Sequence, residues 1–269
     1  MKRAILSTCP DARQSSFLER VYGSWERFAA RHGLDIVVIR RPVIPEHAYW
    51  DRWLSWEQPE LAGYDQVLWL DNDVWITPHA RNPFEFWDGE KVLGNAECKQ
   101  LGWDRERIQA YYPGFMIDLG PGEEDFKVFN TGTALFARHH GPIFRRIYDL
   151  WESQWFPRLS ASEDPHFQSK FVREADGPFI SWQLQKAGMI AEWPEEFNRI
   201  FWVWYVNHKK LPMKYMQMEC KAGQVLRGKL PEPLWRAAFA HAREVLRESA
   251  RDCSFLHIAA SKSPLWLVE

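Results

Sequence analysis

Two carboxylates stand two residues apart where an apolar run stops: Gln66-Val67-Leu68-Trp69-Leu70 leads into Asp71-Asn72-Asp73. Strands of an α/β sheet end at the ligand crevice, so Asp71 and Asp73 would be presented there. Charges beside a buried strand are costly unless a cation or hydrogen bonds compensate them. A hard divalent ion with oxygen ligands is the natural partner. A plain polar turn after a strand is the bland reading of the same spacing.

A second candidate is Val128-Phe129-Asn130-Thr131-Gly132-Thr133-Ala134-Leu135-Phe136, where Asn-Thr-Gly interrupts a strand-like run. Glycine inside a strand marks a bulge or a close approach of backbone to a ligand. Asn130 and the threonines offer hydrogen bonds to hydroxyl groups. A third is Phe255-Leu256-His257-Ile258-Ala259-Ala260-Ser261-Lys262, where His257 is a possible imidazole ligand and Lys262 a point charge for phosphate. A lone histidine after an apolar strand is more often an ordinary hydrogen-bonded residue, so this element matters only in combination.

Short apolar runs that read as strands position these residues: Ala4–Ser7, Ile36–Ile39, Gln66–Leu70, Lys91–Gly94, Val128–Ala137 and Phe255–Ala259. Helical spacing predicts a helix over Ser15–His32 with Gly33 as its C-cap, and similar elements over His47–Leu61 and Pro142–Trp155. Strands alternating with helices predict an α/β domain with a mixed, mostly parallel central sheet flanked by helices. No Gly-rich phosphate loop follows the first strand, where Ser7-Thr8-Cys9-Pro10-Asp11 stands, which argues against a nucleotidyltransferase.

The chain has 269 residues and a net charge of −2, which excludes a uniformly basic nucleic-acid binder and an acidic disordered chain. That charge is unevenly spread. Residues 199–251 carry +7 and the remainder −9, so the C-terminal third reads as a basic appendage. It opens on Phe201-Trp202-Val203-Trp204-Tyr205 and closes with a predicted amphipathic helix, Pro233–Ala250. The expected organisation is a catalytic domain over 1–198, the basic aromatic segment over 199–253, and a closing strand and tail over 254–269. Trp202, Trp204 and Tyr205 suggest a stacking platform, and Lys209, Lys210, Lys214 and Lys221 an anionic acceptor. A glycan, a nucleic-acid base or a lipid headgroup surface would suit them; packed tryptophans with solvated lysines are the plain alternative.

The 16 Trp within a 15% aromatic content exceed what a core needs and suggest stacking surfaces. The four cysteines are scattered without C-x-x-C spacing, the N-terminus lacks signal-peptide features, and the longest apolar run is seven residues. A cytoplasmic protein, or one peripheral to a membrane, is expected.

The three motifs in this order resemble the GT-A glycosyltransferases, especially the family-8 group that includes glycogenin-like and lipopolysaccharide galactosyl- and glucosyltransferases. Those carry L-D-x-D, then F-N-S/T-G, then a C-terminal H-x-x-x-x-K-P-W-like element. The resemblance covers about residues 3–200 and 254–266. It implies a GT-A nucleotide-diphospho-sugar transferase fold and a metal-dependent transferase. Such an enzyme moves a sugar from a UDP-sugar to an acceptor hydroxyl, most naturally of a glycan or surface polysaccharide.

Carried over by position, the resemblance makes Asp71, Asp73 and His257 the metal ligands. Thr8 and Asn72 fall at the nucleoside, Arg52 (in Tyr49-Trp50-Asp51-Arg52-Trp53-Leu54) at the nucleotide sugar, and Lys262 at the diphosphate. Asn130 and Gly132 match donor-site residues, and Asp176 matches the aspartate that contacts the donor sugar. Trp193-Pro194-Glu195-Glu196-Phe197-Asn198 matches the segment that follows. Mn²⁺ suits the mixed carboxylate–imidazole set better than Mg²⁺. Gly177 stands where the family has Gln, and Lys262 lies five residues beyond His257 instead of six. Inversion would require a carboxylate base, for which Asp176, Asp118 and Glu97 are candidates; retention would leave assistance to the departing phosphate. The alternatives are transfer to a modified nucleic-acid base, or a non-catalytic nucleotide-sugar or carbohydrate-binding protein with a degenerate site.

Overall fold

The computed structural model describes residues 1–102, 104, 106–108, 126–164, 176–201, 204, 208 and 240–258, with 240–243 described by backbone alone. A six-stranded sheet forms the centre, ordered β2 (Asp35–Ile39), β1 (Arg3–Thr8), β3 (Gln66–Leu70), β6 (Phe129–Ala137), β5 (Val92–Ala96) and β7 (Ile190–Glu192). β1 pairs in parallel with β2 and β3, and β5 with β7; β6 runs antiparallel to both its neighbours. The mixed, mostly parallel sheet expected from the sequence is therefore present, with β6 the reversed strand.

Strand residues alternate between two cores, as a period of two requires. Ile5, Leu68 and Leu135 face one with Trp25 and Phe28; Leu6, Val67 and Phe136 face the other with Trp53, Phe144 and Phe179. Helix α1 (Ala12–His32) covers the first face. Asp11 caps it by accepting from Gln14 N–H at 2.7 Å, and Gly33 ends it in the left-handed region at φ +63°. Leu18, Val21, Trp25, Phe28 and Ala29 line its buried side, and the larger of these each contribute about 1.5–3 kcal/mol of burial. Helices α2 (Asp51–Leu54), α4 (Gly141–Leu150) and α6 (Gly177–Lys186) cover the second face, and α3 (Glu97–Leu101) follows β5.

Two predicted helices are broken for local reasons. The stretch 48–61 is one turn of α2 flanked by 3-10 turns, because the Ser55 hydroxyl bonds back to Asp51 O at 2.6 Å and Pro59 holds Gln58 extended. α4 opens at Trp151–Trp155 into a π turn before α5 (Phe156–Ser160), where Pro157 supplies no N–H.

A second, three-stranded sheet sets β4 (Val74–Ile76) against β9 (Phe255–His257), with β8 (Arg199–Ile200) on the other side of β9. Helix α7 (Ala240–Ala250) leads into β9. Arg199 bonds Ser249 O at 2.7 Å and Asp252 at 2.9 Å, tying β8 to the end of α7. Phe201, Trp204, Val245 and Leu246 are buried in the same core as Trp25 and Phe255, so both described ends of the basic segment pack into the main body. The rest of that segment, with Trp202, Tyr205, Lys209, Lys210, Lys214 and Lys221, lies outside the described residues.

Of the 12 Trp among the described residues ten are buried, so the aromatic surplus there is mainly core. Trp204, expected on a stacking platform, is among them and instead stacks on His208 within the protein at 4.8 Å between ring centroids. Among the described residues no helix is long and apolar enough to cross a membrane.

Candidate functional site

The carboxyl ends of β1 and β3 open on a cleft of about 550 Å³ lined by Thr8, Arg13, Phe17, Tyr49, Arg52, Trp69, Asp71, Asn72 and Asp73 among others. Asp71 terminates β3, and its N–H donates to Gly132 O at 2.8 Å. The chain turns, Val74 N–H returns to Asp71 O at 3.0 Å, and β4 begins. β4 pairs Val74 with His257, and Ile258 N–H donates to Asp73 O at 3.0 Å. That pairing brings a histidine from the far end of the sequence to the two aspartates. Asp73 Oδ1 lies 3.2 Å from His257 Nε2, and one ligand atom each from Asp71, Asp73 and His257 all fall within 4.8 Å of one another.

Arg52 is a buried strut between the other parts of the site. Its guanidinium donates to Tyr49 O at 3.2 Å and to Thr131 O, and it pairs with Asp71 at 3.5 Å and Asp176 at 3.3 Å. Trp69 Nε1–H also holds Asp71 Oδ1, at 3.0 Å, with Arg52 over the Trp69 ring. Burial opposes the charge on Arg52, but Asp176 and Asp71 outweigh it and hold the guanidinium above its ordinary range. Burial pushes the Asp176 carboxyl up, while Arg52 and the Trp53 indole N–H, 2.5 Å away, pull against it. For His257, burial again opposes the charged form; Asp73, Asp71 and Glu97 overcome it and raise its pKa.

Asn130 and Gly132 sit where β6 leaves the register of β5, which passes from Gly94 opposite Ala134 to Asn95 opposite Asn130. The expected bulge is present, and it points Thr131 O at Arg52 and Gly132 O at Asp71. Thr8 lines the cleft and its carbonyl accepts from Asn72 Nδ2 at 2.8 Å. The rest of the Asn72 amide is taken by Ser7 at 2.9 Å and Gln14 at 3.2 Å, so its side chain braces β1, β3 and α1 together. Gly177, at the start of α6, packs over Thr131 and Phe129 O. The structure thus gathers Thr8, Arg52, Asp71, Asn72, Asp73, Asn130, Gly132, Asp176 and His257 at one end of the sheet; Lys262 and Asp118 lie outside the described residues. Trp53 and Trp69, which hold Asp176 and Asp71, were not legible from sequence, since apolar spacing alone marks them as core.

The donor set fits a divalent cation. Two carboxylates and an imidazole offer it one ligand atom each within 4.8 Å of one another.

No protein-family model and no curated protein matches this sequence. Solved structures do. A glycosyltransferase involved in the glycosylation of the major capsid of PBCV-1 aligns over 97% of this chain and 96% of its own, at 14% identity and a TM-score of 0.51. The glycosyltransferase GlyE of Streptococcus pneumoniae aligns over 98% of this chain and 56% of its own, at 14% identity and TM-score 0.48. The galactosyltransferase LgtC, solved with donor and acceptor sugar analogues, aligns over 98% and 89%, at 13% identity and TM-score 0.47. The fold assignment rests on the first of these. The chain has the GT-A fold that its motifs imply.

Proposed function

We propose that the protein is a metal-dependent glycosyltransferase that moves a sugar from a UDP-sugar to a hydroxyl of a glycan. The convergence of Asp71, Asp73 and His257 at the mouth of the strand-end cleft carries this reading. The fold supports it independently.

Asp71, Asp73 and His257 would hold the ion, which when bound supplies Lewis-acid stabilisation of the negative charge on a departing diphosphate. The protein's own part is to keep that constellation fixed before reaction. Trp69 and Arg52 orient Asp71, β4–β9 pairing orients His257, and Arg52 places a permanent positive charge between the aspartates and the Asn-Thr-Gly bulge. Preorganised charges of this kind lower a barrier because they need no rearrangement as charge develops. Asp176 is bound by Arg52 and Trp53, so its role is to hold this frame beside the donor sugar.

The test is Mn²⁺-dependent release of UDP from a panel of UDP-sugars, with and without oligosaccharide acceptors, by wild type and by Asp71→Ala and Asp73→Ala. Turnover abolished by chelator and by both substitutions is expected. Donor binding indifferent to all three removes the metal assignment, and tight donor binding without transfer to any acceptor favours a binding protein.

A further inference from the structure

We infer that Asn130 is a positioning residue whose side-chain amide fixes the tautomer and the plane of the His257 imidazole, and that Gly132 and Asn198 hold that amide in the orientation which does so. This deepens, and rests on, the reading of Asp71, Asp73 and His257 as a divalent-ion site.

The polarity of the Asn130 amide follows from its partners. Its Oδ1 lies 3.0 Å from the Gly132 backbone N–H, a group that can only donate. Asn198 Nδ2 donates to the same oxygen at 2.8 Å. The oxygen is therefore the atom that faces His257 Nδ1, 3.2 Å away. A carbonyl oxygen accepts only, so Nδ1 must carry a hydrogen. With Nδ1–H donating to Asn130, Nε2, 3.2 Å from Asp73 Oδ1, is the nitrogen left to give its lone pair to an ion. An imidazole with the opposite tautomer would present a hydrogen to the ion.

The ring's plane is set by the same motif. A Cβ on Gly132 would lie 2.3 Å from His257 Cε1 and 2.7 Å from Nδ1, so the imidazole lies against bare backbone. Asn198 is fully buried, and its carbonyl accepts from Gln100 Nε2 at 2.8 Å; Gln100 Oε1 in turn accepts from Ile200 N–H at 3.0 Å. The support for the amide thus runs back into α3 and β8. Asn130 and Gly132, read from sequence as donor-site residues, are by this geometry the seat of the histidine.

The experiment is NMR of the ring nitrogens in protein labelled at histidine and loaded with Zn²⁺ as a diamagnetic probe, with the His257 signals assigned by loss in His257→Gln. Wild type is expected to show hydrogen on Nδ1, and Asn130→Leu to show a mixture of tautomers. Mn²⁺ affinity, titrated by electron paramagnetic resonance, is expected to fall about 10–100-fold in Asn130→Leu. Hydrogen on Nε2 in wild type overturns the inference. So does an Asn130→Leu protein whose tautomer is unaltered and whose Mn²⁺ affinity is within about two-fold of wild type. Should Asn130→Leu not fold, the wild-type tautomer decides by itself. A wild type that binds neither Mn²⁺ nor Zn²⁺ defeats the ion-site reading; the His257 ring shifts in Asn130→Leu then score the positioning, and unaltered shifts overturn it.

Discussion

Arg52 Nε stands 3.3 Å from Asp176 Oδ2, and both side chains are almost entirely removed from water. Breaking a buried pair on one side leaves an uncompensated charge, which costs about 3–5 kcal/mol. Asp176→Asn keeps an acceptor for the Trp53 indole but removes the charge that faces Arg52, and Asp71 at 3.5 Å remains to compensate in part. We expect Asp176→Asn to lose about 2–3 kcal/mol in urea unfolding and Arg52→Met to lose more, since Arg52 also holds Tyr49 O and Thr131 O. Equal stability of Asp176→Asn and wild type would show that the pair adds nothing to the fold.

Two glycines near the site should respond oppositely to alanine. At Gly132 the new Cβ meets the His257 ring at 2.3 Å and Asn130 Oδ1 at 2.9 Å, so the ring must leave its seat. At Gly177 the nearest atom is a Thr131 methyl at 3.5 Å, an ordinary contact, and the residue begins a helix. Gly177→Ala is expected to be neutral or to stabilise by up to about 1 kcal/mol through the unfolded chain. Gly132→Ala is expected to lose Mn²⁺ binding while remaining folded. Calorimetric Tm and Mn²⁺ titration of the two variants, side by side, check both expectations.

The contrast shows what the sequence made legible. Strand ends announce themselves, because an apolar run that stops at two aspartates has few other readings; β3 occupies Gln66–Leu70 as its residues predict. Strands β4, β7 and β8 were not visible, since at two or three residues they are defined by pairing across the chain and leave no period to read. Yet β4 brings His257 to Asp73, so the meeting of the motifs was expected from the resemblance while the strand pairing that achieves it was not visible. Trp204 shows the reverse error: clustered aromatics beside lysines look like a surface, and burial against Phe201 and the α7 side chains decides otherwise.

His140 gives a pH dependence that is independent of catalysis. The ring is fully buried at the end of β6, where its Nδ1 accepts from Ala137 N–H at 3.0 Å and its Nε2 donates to Glu90 O at 3.0 Å. Both nitrogens are satisfied in the neutral form, and burial pushes the pKa down from 6.5 to about 4. Below its ordinary value the unfolded chain takes up a proton that the folded chain refuses, so stability is lost as pH falls from 6.5 towards 4 and the loss levels off below that. The size is about 3 kcal/mol. Urea midpoints near pH 7 and near pH 4.5 should therefore diverge more for wild type than for His140→Gln. Parallel behaviour of the two proteins would assign the acid sensitivity to other groups.

A bound ion should register as stability, because ligands that bind only the folded chain stabilise it by mass action, about 2.7 kcal/mol at a concentration of about 100 Kd. The increment should be larger for Mn²⁺ than for Mg²⁺, since an imidazole is a better ligand for the former. It should vanish in Asp73→Ala, which removes both a ligand and the carboxylate that faces His257 Nε2 at 3.2 Å. It should shrink less in Asp176→Asn, whose carboxyl is engaged with Arg52 and Trp53 instead of the ion-binding group. Calorimetric Tm with Mn²⁺, Mg²⁺ or chelator separates these cases. A Tm rise of the same size in wild type and Asp73→Ala would place the ion elsewhere on the protein.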